Sequence, residues 1–125
     1  MIRYALLLLA VIGESAMAHQ FTPMYPVFTP SYVDGVMQTK MELFNKRKEV
    51  SYYEISVFDD NWKPITFASE SRIIQVKYLE TKKISVYLKA EDVSRAVHIC
   101  TESKLLTDDI KSTGISSRIC SKVKQ

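Results

Sequence analysis

The strongest constraint on this chain is a pattern repeated in short runs between turns, with every second residue apolar. Lys83 to Lys89 is the clearest case, with Ile84, Val86 and Leu88 on one side and Ser85, Tyr87 and Lys89 on the other. A period of two is the signature of a strand with one dry and one wet face. Val36 to Asn45 repeats it, with Met37, Thr39, Met41 and Leu43 against Gln38, Lys40 and Glu42. Val50 to Phe58 does so again through Tyr53, Ile55 and Val57, and ends at the turn cluster Asp59-Asp60-Asn61. Trp62 to Phe67, Ser71 to Leu79, Ala96 to Thr101 and Ile115 to Val123 read as further strands. Glu80-Thr81-Lys82 reads as a turn, Ala90 to Val93 as a helical turn and Glu102 to Gly114 as a long loop. Pro23, Pro26 and Pro30 make the stretch before Tyr32 extended and irregular, an edge or arm. About seven to eight one-face-polar strands in a single domain suggest an all-β antiparallel sandwich, with another all-β fold such as a small barrel as the alternative.

That domain follows a segment of a different kind. Arg3 gives a positive start, Ala5 to Gly13 is apolar, and Ala16-Met17-Ala18 has the small residues a signal peptidase reads. The apolar run is shorter than the roughly 20 residues a membrane span needs. Residues 1–18 are therefore expected to be a signal peptide cleaved between Ala18 and His19. Residues 19–125 form the mature domain, periplasmic or secreted, with no membrane span.

The cysteine count agrees with export. Cys100 and Cys120 are the only two, and an even number in an exported chain reads as a disulfide. If Val97 and Ile99 face the core, Cys100 faces outward. Ile115, Ile119 and Val123 share a face in the last strand, so Cys120 is outward too. An antiparallel pairing of these two strands would place both thiols on one side.

The stretch from about Val36 to Gln125 resembles the N-terminal immunoglobulin-like domain of the periplasmic pilus-assembly chaperones (PapD-like). The residues that carry the resemblance are MELFNKRKEVSYYEISVFDDNWKPI, KKISVYLK and GISSRICSKVK. They share the family's L-x-N ending to its second strand, its acidic turn and a long loop before the last strand. The resemblance covers one of the family's two domains. It implies a partner, such as a pilus subunit or another envelope protein, bound by strand addition. Ile115, Ile119 and Val123 would be the apolar contacts, and Lys122 or Lys124 a basic contact to a terminal carboxylate.

Other classes find less support. Net charge is only +3, and the one basic triplet, Lys46-Arg47-Lys48, reads as a solvated turn, which argues against nucleic acid. No Ser-His-Asp spacing, H-E-x-x-H or phosphate-binding glycine loop is present, and Asp59-Asp60 and Asp108-Asp109 read as turn pairs. The expectation is a non-enzymatic binding module without a cofactor. Two alternatives stand beside it. One is a secreted domain that oligomerises by edge pairing. The other is a copper-binding protein in which His19, as the mature N-terminus, chelates the ion with His98 as a second imidazole.

Overall fold

The computed structural model describes residues 19–104 and 117–125. Within them the strands are β1 His19–Thr22, β2 Thr29–Pro30, β3 Val36–Asn45, β4 Tyr52–Phe58, β5 Ile73–Gln75, β6 Thr81–Lys89, β7 His98–Lys104 and β8 Arg118–Lys122. A 3-10 helix, Ala90–Arg95, links β6 to β7. One sheet has β3 at its centre, with β6 on one side and both β1 and β2 on the other; the second runs β5-β4-β7-β8. The strand pairings are antiparallel, and the whole is an immunoglobulin-like β-sandwich.

Alternation explains the layers. Thr39, Met41 and Leu43 of β3 and Ile84, Val86 and Leu88 of β6 are buried, and so are Tyr53, Ile55 and Val57 of β4 and Ile99 of β7. Phe21, Phe28, Val76, Ala96 and Val123 close the margins of the same core. Burial of each large apolar side chain stabilises the fold by about 1.5–3 kcal/mol. Among the described residues no helix is long and apolar enough to cross a membrane.

Several sequence expectations need correction. Trp62 to Phe67 is not a strand: it contributes a single bridge, Phe58 to Pro64. The cause is the turn before it, where the Asp59 carboxylate accepts the N–H of Asn61 at 2.8 Å and of Lys63 at 2.9 Å. That turn holds Trp62 at φ 61°, in the left-handed region. The strand expected over Ser71 to Leu79 shrinks to Ile73–Gln75, because the chain then wraps around Asn45, whose carbonyl accepts the Leu79 N–H at 2.7 Å. Thr81 opens β6 where a turn was expected, and β7 runs on to Lys104 where a loop was expected. The signal segment and Ile115 lie outside the described residues.

The N-terminal arm decides which edges stay open. β1 pairs with the far end of β3, His19 opposite Asn45. The chain then changes sheets. The N–H groups of Lys122 and Lys124 donate to the carbonyls of Met24 and Pro26, both at 2.9 Å, so this stretch runs parallel to the end of β8. β2 then returns to β3, with Thr29 opposite Gln38.

Candidate functional site

β8 is an outer strand of its sheet, and its backbone groups alternate in direction. Val123 N–H donates to Val97 O, and Ser103 N–H donates to Ser117 O, so the odd-numbered residues of this strand bond inward to β7. The even-numbered residues point their backbone away from β7. Lys122 and Lys124 are covered by the arm. Arg118 and Cys120 are not: their outward N–H and C=O groups have no partner among the described residues. An unpaired stretch of ladder is a template for another strand. Met24 and Tyr25, at the near end of the arm, are exposed beside it.

The same alternation places the disulfide. Cys100 and Cys120 stand directly opposite each other in the register, in a pair that exchanges no backbone hydrogen bonds. Side chains approach most closely at such pairs. The Cα atoms are 4.0 Å apart and the sulfurs are bonded. Cys100 faces away from the core side of β7 yet is buried.

The outer face around the bridge carries an aromatic and cationic group. Trp62 stacks flat on His98, with centroids 3.9 Å apart and planes 4° apart, and Phe58 sits tilted against Trp62 at 5.7 Å. The Arg118 guanidinium lies 4.9 Å from the Trp62 ring centre and 5.3 Å from that of Phe58. Burial, then the charges of Lys122 and Arg118, hold the His98 imidazole below its usual range, so it adds no charge near neutrality. Sequence reasoning missed this group. Trp62 looked like a strand residue, and the signals against a regular strand were the preceding Asp-Asp-Asn turn and Pro64.

The remaining expected site residues fall into two sets. On the inner side, Val123 is buried in the chain's own core and Ile119 packs against that core while partly exposed. On the outer side, Lys122 and Lys124 are exposed.

The histidines are held apart. His19 is fully buried between the sheets, its Nε2 2.8 Å from the Thr101 hydroxyl and its ring 4.7 Å from that of Tyr53. Burial pushes its pKa down to about 4. Thr101 is on the inner face of β7 and His98 on the outer face, so the sheet separates the two imidazoles and they cannot share one ion. No group of three or more potential metal ligands stands together among the described residues.

A second polar group braces the end of β3. Asn45 donates to the carbonyls of Val50 and Val76 and accepts from the Tyr53 hydroxyl at 2.6 Å and the Arg47 N–H at 2.8 Å. This is the asparagine of the L-x-N ending, and its role here is structural. An open groove of about 400 Å³ beside β4, lined by Glu54, Ser56, Phe58, Pro64, Thr66 and Arg72, brings no catalytic set together.

No family model matches the chain, and no curated protein matches its sequence. Among solved structures, the chain is similar to the ASH / PapD-like domain of human CEP192 (PapD-like domain 7). Identity there is 10%, the TM-score is 0.57, and the match covers 85% of this chain and 82% of that one. It is also similar to a chain from the Salmonella enterica SafA pilin in complex with the SafB chaperone. Identity is 8%, the TM-score is 0.59, and the match covers 84% of this chain but 52% of that one, about half its length. At these identities the likeness is one of architecture, and the fold of this chain is PapD-like.

Proposed function

We propose that this chain is an exported, non-enzymatic binding module that takes up an extended segment of a partner protein at the open edge of β8. The observation that carries this reading is the unpaired backbone at Arg118 and Cys120, flanked by exposed Met24 and Tyr25. Strand addition draws affinity from main-chain hydrogen bonds and specificity from alternating side chains. The PapD-like architecture supports the reading, since one structure it resembles is a complex of a pilin with a chaperone. A pilus subunit or another envelope protein is the partner class that follows, in the periplasm or outside the cell.

Arg118→Pro tests this directly. Proline removes one outward N–H and leaves the inward ladder to β7 intact, as proline does on edge strands. The variant should melt like the parent but lose a partner captured from envelope extract. The parent should gain hydrogen-exchange protection at the Cys120 amide when that partner binds. Equal capture by the variant, with no protection of Cys120, would overturn the reading. The same open edge could also pair with a second copy of the chain. An apparent mass that rises with concentration and stays low in Arg118→Pro would favour that outcome.

A further inference from the structure

We propose that the strand taken up at β8 is acidic on one face and apolar on the other. Its carboxylates would meet Arg118 and the exposed ammonium of Lys122, which borders the open stretch, while its apolar side chains extend the core beside Ile119. The inference rests on the strand-addition reading and narrows it to a partner of stated chemistry.

The outward side chains from Arg118 onward are Arg118, Cys120, Lys122 and Lys124. The disulfide takes the second, and the other three are exposed cations. None of the three has an ion-pair partner among the described residues, where the pairs are Arg47–Glu49, Lys82–Glu80, Arg95–Asp92 and Lys104–Glu102. Arg118 stands directly across from Glu102 in the register, yet the Glu102 carboxylate goes to Lys104 at 3.9 Å. The guanidinium lies instead against Trp62 and Phe58. Contact with those rings limits the freedom of a long side chain without using its in-plane N–H donors, which suit a carboxylate.

A neighbouring strand must present every second side chain to this outer face, at Cβ separations of about 4.5–5.5 Å from the residues opposite. Opposite Arg118, with the Lys122 side chain at the border of the open stretch on the same face, basic side chains repel and acidic ones attract. On the inner face the nearest neighbour is Ile119, partly exposed at the margin of the core, where an apolar side chain gains most. The two faces therefore ask for opposite chemistry in alternate positions.

The test uses labelled protein and three synthetic ten-residue peptides, in which valine alternates with glutamate, glutamine or lysine. The glutamate peptide should bind tightest at low salt, by about fivefold over the glutamine peptide on the scale of exposed ion pairs. That advantage should shrink at about 0.5 M salt. It should vanish in Arg118→Gln/Lys122→Gln and survive in Arg118→Lys. The His98 ring, flanked by Lys122 and Arg118 as its charged neighbours, should titrate higher in the glutamate complex, because the bound carboxylates offset those charges. Equal affinity of all three peptides, with the Cys120 amide protected, would overturn the charge inference and leave strand addition standing. Tightest binding of the lysine peptide would overturn it as well. Failure of every peptide to protect Cys120 would remove the strand-addition reading and this inference together.

Discussion

A histidine between two sheets must stay neutral, and the surroundings of His19 enforce that. Its ring has one hydrogen bond, to the Thr101 hydroxyl; burial away from water is the main bar to protonation, and the Arg47 charge adds to it. Unfolded, the ring titrates near 6.5, and folded it titrates near 4. Between those values the unfolded chain holds more protons, so stability rises with pH. The contribution is complete above about pH 6.5 and is lost progressively down to about pH 4, amounting to about 3 kcal/mol. Denaturant unfolding at pH 7 and pH 4 should show this loss, and the difference between the parent and His19→Gln should isolate it. A variant with the same pH profile as the parent would show that His19 does not titrate with folding. Nothing local marks His19 as a core residue. Its sequence neighbours suit an exposed terminus, and the group that satisfies it lies 82 positions away.

At the scale of elements, the β7–β8 hairpin was the most legible part of the chain. Alternation alone put Cys100 and Cys120 on one side, and the register sets them opposite each other. The bridge closes a separation of 20 residues, which on the chain-entropy estimate stabilises the fold by about 3 kcal/mol. For a domain of this size that corresponds to a melting temperature lowered by roughly 15 °C in Cys100→Ala/Cys120→Ala, measurable by calorimetry. An unchanged melting temperature would mean that the hairpin is held without the bridge. The segment from Trp62 to Leu79 was legible only in part. Its apolar residues are real core contributors, as buried Ile65 and Val76 show. Their regular spacing hid the fact that the Asp59 turn and the wrap around Asn45 break the run into short pieces. Periodicity reports which residues are dry, and it does not report where side chain-to-backbone hydrogen bonds interrupt the ladder.

For the whole molecule, the deciding feature is an arm that serves both sheets. Residues 19–22 belong to one sheet, Met24 and Pro26 bond to the other, and Thr29–Pro30 rejoin the first. Prolines in the sequence announced an irregular edge, but not that it would cover only the end of β8. That partial cover is what turns an edge strand into a defined site: it closes Lys122 and Lys124 and leaves Arg118 and Cys120 open. Phe21 and Phe28, on either side of the crossing, are both buried, so the arm is also part of the core. Removing it has two consequences that can be measured separately. A chain begun at Ser31 loses two phenylalanines from the interior, at about 3–5 kcal/mol each, a large share of the stability of a small domain. It also exposes the full length of β8, and a long open edge next to uncovered apolar surface is prone to pair with copies of itself. Light scattering should therefore show the chain begun at Ser31 gaining mass with concentration more steeply than the chain begun at His19. Adding Arg118→Pro to the shortened chain should blunt that gain without restoring its stability, because the edge and the core are distinct contributions of one segment. If the shortened chain instead matches the longer one in both melting and mass, the arm neither closes the core nor limits the edge, and the site defined by its partial cover loses its basis.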